Sequence, residues 1–188
     1  VTLAALPVMR LLASVTHQSF NMRFNDGRCD ASGRLWAGTM QMDMSLAAAE
    51  GALYCLDEKG LSEPKLKQLI TPNGTAFSPD GRRMYLSDSH PTVQKIWAFD
   101  LDAATGSLSN KRLFVDMNDW PGRPDGAAVD TDGGYSTCAN DAGAVHRFTP
   151  DGRLDRTIML PVSKPAMCAV GGAQLDERYI TSIRPAQV

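Results

Sequence analysis

Three short phrases of the sequence place Asn or Asp directly before glycine. The phrases are Asn25-Asp26-Gly27, Asn73-Gly74 and Asp125-Gly126. Their glycines are 47 and 52 residues apart along the chain. Amide and carboxylate oxygens are the ligands that Ca²⁺, Mg²⁺ and Mn²⁺ prefer, whereas a closed zinc site uses Cys or His. The three phrases therefore indicate a divalent-metal site, provided that the fold brings them together.

Turn formation is the alternative explanation for these phrases. Asn-Gly and Asp-Gly are common turn dipeptides in β-proteins, and turn chemistry accounts for any one of the three phrases taken alone. The regular spacing of all three favours a shared polar site.

A repeat of about 47 residues supplies the elements that must position these side chains. Turn glycines recur at Gly33, Gly81 and Gly133, and a second series recurs at residues 60, 106 and 152. Strand-like runs accompany both series, at residues 34–38, 51–57, 82–87, 95–100, 134–138 and 144–149. Short strands joined by Gly, Asp and Pro turns in units of this length predict an all-β fold, a β-propeller.

The predicted blades are residues 21–68, 69–119 and 120–162. Residues 1–20 would end a preceding blade, and residues 163–188 would start the next. In a propeller the innermost strands of all blades face one central axis, so the three phrases converge there. A β-sandwich with coincidental turn spacing is the alternative, because it too has short strands at regular intervals. Residues 45–50 are the one stretch whose pattern allows a short helix.

Composition and charge exclude several classes of protein. Of the 188 residues 43% are hydrophobic and 21% charged, as in a globular protein with a buried core. The 19 Lys and Arg against 21 Asp and Glu give a net charge of −2, so neither nucleic acid nor a membrane is an expected partner. The longest apolar stretch, residues 1–9, is too short to span a bilayer. The four cysteines form no C-x-x-C pair, which predicts reduced thiols and a cytoplasmic protein.

At these phrases the chain resembles the gluconolactonase and senescence-marker-protein family, also known through regucalcin. The matching segments are residues 22–30, 35–40, 51–54, 72–74, 77–81, 123–126, 164–168 and 171–172. The resemblance implies a six-bladed propeller that hydrolyses sugar lactones with one divalent metal ion at its axis. The chain then holds about four blades' worth of that propeller.

The resemblance also implies the roles of individual residues. Asn73 and Asp125 would be metal ligands, and Asp125 would also be the catalytic acid or base. Arg23 and Asn25 match positions that contact substrate, and Asp43 falls where some members have a further substrate-contacting acid. The family's metal site includes a glutamate in an earlier phrase that this sequence lacks. The chain is therefore expected to be an internal fragment with little or no activity by itself.

The predicted function is metal-dependent hydrolysis of a sugar lactone to the sugar acid. Ca²⁺ is the first expectation for the metal, and Zn²⁺, Mg²⁺ and Mn²⁺ are alternatives. A non-enzymatic propeller that binds calcium or a protein partner is the competing hypothesis. Arg23 and Asn25 favour the enzyme, because a simple calcium site needs no guanidinium group beside the cation. The run from Ser87 to His90 is interpreted as a strand end, since neighbouring residues on a strand point in different directions and cannot form a Ser-His-Asp triad.

Overall fold

A computed structural model describes residues 9–17 and 19–184 of the chain. These residues form antiparallel strands in four sheets, and the fold is the predicted all-β propeller. Two short 3₁₀ turns occur, at Met44–Leu46 and Met117–Asp119. Residues 45–50 do not form a helix, because the first 3₁₀ turn ends at Ala47, whose φ of 47° is left-handed.

The strands follow one another around the propeller in chain order. Sheet 1 contains β1 (Met22–Cys29), β2 (Leu35–Gln41), β3 (Gly51–Asp57), β4 (Gly60–Leu61) and β5 (Leu66–Leu69). Sheet 2 contains β6 (Pro72–Phe77), β7 (Arg83–Asp88), β8 (Lys95–Leu101) and β9 (Leu108–Asp116). Sheet 3 contains β10 (Arg123–Val129), β11 (Tyr135–Asn140), β12 (Ala144–Phe148) and β13 (Leu154–Met159), and sheet 4 contains β14 (Pro165–Gly171) and β15 (Glu177–Ser182). Consecutive strands pair within each sheet, and both β4 and β5 pair with β3.

The first strand of each sheet lies innermost. β1 packs against β6, β6 against β10, and β10 against β14, so these four strands are neighbours around the axis. Of the segment predicted to end a preceding blade, residues 1–8 and 18 lie outside the described residues, and residues 9–17 form no strand. Residues 185–188 also lie outside them.

Apolar side chains fill the spaces between adjacent sheets. Between sheets 1 and 2, Trp36, Leu53 and Phe99 belong to one buried cluster. Between sheets 2 and 3, Tyr85 and Tyr135 pack with their ring centroids 5.0 Å apart inside a second cluster. A smaller cluster joins sheets 3 and 4 and contains Cys138, Val145 and Cys168. Each sheet thus buries its faces against its neighbours, as stacked repeats must.

In sheets 2 and 3 the outermost strand is the least buried. In sheet 2 all but one residue of β6 is buried, whereas only one residue of β9 is. In sheet 3 every residue of β11 is buried and none of β13 is. The buried packing of these two sheets therefore lies inside their outermost strands.

A buried carboxylate anchors the turn between β1 and β2. Asp30 accepts hydrogen bonds from the backbone N–H groups of Ser32 and Arg34, at 2.9 and 3.0 Å. Its second oxygen accepts hydrogen bonds from Nε of Arg34 at 2.7 Å and from the indole N–H of Trp36 at 2.9 Å. Burial would raise the pKa of Asp30, but the hydrogen bonds from Trp36 and Arg34 outweigh it and hold the pKa below its usual 3.8. The turn motif is thus tied directly to the apolar cluster that contains Trp36.

Replacing Asp30 by Ala is expected to lower the free energy of unfolding by about 3–5 kcal/mol, because it leaves the buried Arg34 without its partner. Urea denaturation at pH 7 measures the loss. Asp80→Ala is the matched control, since Asp80 lies in the corresponding turn of sheet 2 but is exposed, and it should cost less than about 1 kcal/mol.

The difference between these two variants also depends on pH. The folded-state pKa of Asp30 is lowered, so its stabilisation is complete above the unfolded-state pKa of 3.8 and is lost as the pH falls through the folded value. Equal losses for both variants at pH 7 would contradict the role given to Asp30.

Candidate metal and substrate site

The first strand of every sheet contains one extra residue. In β1 the register shifts between Phe24 and Gly27, so that three steps along β1 match two steps along β2. The same shift follows Asn73 in β6, Pro124 in β10 and Pro165 in β14. Such β-bulges interrupt the alternation of side chains and redirect them. The four innermost strands are thereby bent at corresponding places.

The predicted site residues lie at these bulges. Asn25 and Asp125 are the first residues inside their bulges, whereas Asn73 is the last paired residue before its bulge. The glycines that follow them therefore do not occupy equivalent positions, although their spacing in the sequence suggested that they do. The bulge, and not the glycine, is the feature that repeats.

Asp125 is a half-buried carboxylate on β10. Its Oδ2 accepts a hydrogen bond from the side-chain amide of Asn140 at 2.9 Å. Its Oδ1 accepts a hydrogen bond from the backbone N–H of Gly126 at 3.0 Å. Burial raises the pKa of Asp125 to about 6, against the lowering effect of these two hydrogen bonds, and the charge of Asp26 adds to the rise. Among the described residues Asp125 has no ion-pair partner, and the charge of Arg123 lowers its pKa without reversing the rise.

Asn25 and Arg23 form a connected pair on β1. Nη1 of Arg23 donates to Oδ1 of Asn25 at 2.8 Å and to the carbonyl of Phe24 at 3.0 Å. The amide of Asn25 donates in turn to the carbonyl of Pro72 on β6, at 2.9 Å. The carbonyl that immediately precedes Asn73 is therefore fixed from the neighbouring sheet.

These side chains line one cavity of about 280 Å³. Arg23, Asn25, Asn73 and Asp125, the four residues named from the sequence, all contribute to its walls. A larger groove of about 810 Å³ lies between the turns of sheets 2 and 3 and contains none of them. The structure therefore brings all four predicted residues together.

Hydrogen bonds between sheets hold the bulges in place. The carboxylate of Asp26 accepts the backbone N–H of Thr75 at 2.8 Å, which joins β1 to β6. The hydroxyl of Tyr135 donates to the carbonyl of Gly74 at 2.8 Å, which joins sheet 3 to sheet 2. Asn140 donates to the carbonyl of Pro165 at 3.2 Å, which joins sheet 3 to sheet 4. The carboxylate of Asp26, one of the acids in the repeated phrases, is thus hydrogen-bonded to the backbone of the neighbouring strand.

The donor set fits a hard divalent cation. Asp125 offers carboxylate oxygens that form no ion pair with another described residue, and Asn73 is 7% exposed with a side-chain amide that makes no hydrogen bond to another described residue. Oxygen donors of these two kinds suit Ca²⁺ or Mg²⁺. Within residues 9–17 and 19–184 there is no group of three or more His, Cys, Asp or Glu residues that could bind a metal, so an amide is needed in the set.

Four further polar residues of the cavity had no assigned role in the sequence analysis. They are Thr71, Ser89, Arg123 and Asn140. Asn140 is paired with Arg123 across β10 and β11, a register that cannot be read from the sequence. Thr71 is 4% exposed, and its hydroxyl has no partner among the described residues. Arg123 lies in the phrase 123–126, two residues before Asp125. This position in the sequence could have indicated that Arg123 belongs to the site.

Of the other candidates from the sequence, Ser89 lines the cavity, whereas Asp43 and His90 do not. Asp43 is exposed, does not line the cavity and accepts hydrogen bonds from the backbone N–H and the hydroxyl of Ser45. The carboxylate of Asp88 accepts backbone N–H groups, and both ring nitrogens of His90 bond outside the 87–89 run, to Thr92 and the carbonyl of Met44. The run from Ser87 to His90 is therefore not a catalytic triad.

The fold and the cavity together define a β-propeller with an oxygen-rich polar site at its axis. The model of the SMP-30/gluconolactonase/LRE-like family matches residues 4–184. The chain belongs to this family.

Individual relatives agree with this assignment. The chain is 38% identical over 163 residues to regucalcin of Danio rerio, covering 86% of this chain and 55% of the relative. It is 39% identical over 162 residues to 6-deoxy-6-sulfogluconolactonase of Pseudomonas putida, covering 86% and 54%. The solved structure of a calcium-binding protein, regucalcin, from Agrobacterium tumefaciens superposes with a TM-score of 0.81 at 29% identity, covering 87% and 54%. The chain thus spans just over half the length of these relatives.

One finding bears on membranes. No helix in the part of the chain that the structure describes is long and apolar enough to cross a bilayer.

Replacing Gly74 by Ala is expected to disturb both folding and the site. Its φ is +58°, and a Cβ there would lie 2.5 Å from the Tyr135 hydroxyl and 3.0 Å from the carbonyl of Asp125. Gly33→Ala is the control, because Gly33 also has a positive φ, of +81°, but has nothing within 4 Å of the added Cβ. Gly33→Ala should cost about 1–2 kcal/mol from backbone strain, and Gly74→Ala about 1–3 kcal/mol more from crowding. Urea denaturation compares the two, and equal costs would show that the bulge tolerates a side chain.

Proposed function

We propose that the protein hydrolyses a sugar lactone to the sugar acid and depends on one bound divalent metal ion. The observation that carries the proposal is the meeting of Asp125, Asn73, Arg23 and Asn25 in one cavity. Carboxylate and amide donors suit the metal, whereas the guanidinium group suits an oxygen atom that gains negative charge. The names of its relatives, which include a sulfogluconolactonase, support the same chemistry.

Asn73 and Asp125 would hold the metal, with Ca²⁺ as the first expectation and Zn²⁺, Mg²⁺ or Mn²⁺ as alternatives. A bound divalent ion supplies Lewis acidity toward the ester carbonyl and lowers the pKa of water. Two ligands leave further coordination positions for other donors.

Asp125 would accept the proton of the attacking water and return it to the leaving hydroxyl of the opened ring. This role needs a carboxylate whose position and proton affinity are controlled. The hydrogen bonds from Asn140 and the Gly126 N–H fix both oxygens, and burial raises the pKa of the carboxyl group. The surroundings therefore suit general acid–base catalysis.

Arg23 and Asn25 would bind and orient the lactone. Ester hydrolysis develops negative charge on the carbonyl oxygen, and donors already in place stabilise that charge most effectively. The hydrogen bond between Arg23 and Asn25, and that from Asn25 to the Pro72 carbonyl, hold both side chains at the cavity.

Calcium binding without catalysis is the second candidate function. A specific observation favours it, namely that a similar solved structure is described as a calcium-binding protein. The two functions share the metal ligands and differ in whether a lactone is consumed. We also assign the protein to the cytoplasm, supported by its four free cysteines, three of which are buried.

Asp125→Asn is expected to reduce kcat/KM for metal-dependent lactone hydrolysis by about 100-fold or more, because the variant loses the proton acceptor and a charged ligand. The assay follows acid release from a panel of aldonolactones with the complete gene product that carries this chain, stripped with chelator and reloaded with metal. Asp132→Asn is the control, since Asp132 is an exposed acid of sheet 3 in the turn between β10 and β11. Full activity of Asp125→Asn would refute its catalytic role.

Added Ca²⁺ is expected to raise the thermal unfolding midpoint, because a ligand that binds only the folded state stabilises it. The increase should grow with Ca²⁺ concentration and should be absent in Asp125→Asn and weaker in Asn73→Ala. Asp132→Asn should respond like the unmodified protein. Calcium stabilisation without turnover of any lactone would favour the second candidate function.

A further inference from the structure

Basic side chains surround the cavity in a chain whose net charge is −2. Arg23, from sheet 1, and Arg123, from sheet 3, both line its walls. Lys164 lies beside them, since its ammonium group and Nη2 of Arg123 contact the same carboxylate, Asp141, at 3.1 and 2.9 Å. Basic side chains are therefore concentrated at this cavity, beside the carboxylate of Asp125.

Arg123 is held rigidly but retains free donors. Its Nε donates to Asp141 at 2.9 Å, and its Nη2 donates to Oδ1 of Asn140 at 3.4 Å. Nη1 makes no hydrogen bond to any described residue, and the side chain is 24% exposed. A guanidinium group fixed on one side, with donors remaining on the other, is suited to bind an anion in a defined geometry.

Of the acidic groups nearby, Asp125 lines the same cavity and is assigned to the bound cation in the proposed function, so it is not counted against the basic side chains. The single negative charge of Asp141 is shared between two positive groups, Arg123 and Lys164. One positive charge of this pair is therefore left without a partner. Arg23 bonds only to neutral oxygens among the described residues. Asp26 and Asp88 do not line the cavity, and their carboxylates accept hydrogen bonds from backbone N–H groups of neighbouring strands and loops.

We infer that the substrate is a sugar lactone that carries an additional anionic group, and that Arg123 is the residue that selects it. The anionic group is a phosphate, sulfonate or carboxylate, since all three accept the same hydrogen bonds from a guanidinium group. The unpartnered hydroxyl of Thr71 in the same cavity supplies a neutral contact for a sugar hydroxyl. The inference rests on the proposed function and adds the chemical class of its substrate.

Binding of two product acids tests the inference without turnover. Gluconate and 6-phosphogluconate differ by one phosphate group, and isothermal titration of the calcium-loaded complete gene product measures their dissociation constants. We expect 6-phosphogluconate to bind about tenfold or more tightly than gluconate, since a charge-assisted hydrogen bond contributes roughly this much. Arg123→Met should remove most of this preference, and Arg123→Lys should retain part of it.

Arg156→Met is the matched control, because Arg156 also belongs to sheet 3 but is exposed, with 64% of its side chain accessible, and pairs with Asp155 away from the cavity. It removes one positive charge and should leave the preference unchanged. Thermal unfolding of each variant separates misfolding from lost selectivity, and Arg123→Lys keeps the test valid if Arg123→Met unfolds.

Equal binding of gluconate and 6-phosphogluconate would overturn the inference and leave the proposed function intact. A preference that survives in Arg123→Met would overturn the role of Arg123. Failure of both acids to bind, together with absence of lactone turnover, would overturn the proposed function and this inference with it.

Discussion

The extra residue in each innermost strand is the constraint on which the site depends. A regular strand alternates its side chains between two faces, and in a propeller both faces are covered by neighbouring sheets. Without a bulge, polar residues on these strands would point into the apolar clusters between sheets. The bulges interrupt that alternation at Asn25 and Asp125, at corresponding positions of β1 and β10. The polar cavity and the apolar packing can therefore coexist within a few residues of each other.

Hydrogen bonds from neighbouring sheets help to maintain the bulges, in addition to those within each sheet. The hydroxyl of Tyr135 reaches the carbonyl of Gly74, and the carboxylate of Asp26 reaches the N–H of Thr75. A bulge leaves backbone groups without partners in its own ladder, and a buried polar group without a partner is costly. Each sheet thus completes the hydrogen bonding of the next, and the geometry of the cavity is a property of the assembled sheets.

Much of the fold could be predicted from sequence because the repeat is marked by glycines that the backbone requires. Gly33, Gly81 and Gly133 have positive φ, between +67° and +81°, and the glycines at 60, 106 and 152 have positive φ between +68° and +108°. Such positions favour glycine strongly, so their spacing records the turns directly. The structure of residues 45–50 was harder to predict. A helical pattern of this length is too short to form a stable helix, and Ala47 adopts a left-handed conformation.

The site was only partly accessible to sequence reasoning. Asp125 and Asn73 were predicted because they stand in recognisable phrases, and both line the cavity. Asn140 was not, because its contact with Asp125 depends on a strand register that the bulge shifts. The spacing of the glycines likewise could not reveal that Asn73 precedes its bulge. Residues that act through cross-strand pairing carry no local signature.

The low burial of the outermost strands in sheets 2 and 3 has a consequence for how this protein can change over evolutionary time. The outer strand β13 has no buried residue, whereas β11, two strands nearer the axis, is wholly buried. Substitutions on exposed surfaces usually change stability by less than about 0.5 kcal/mol. The outer strands are therefore free to diverge and to acquire new surface properties while the axial cavity keeps its shape.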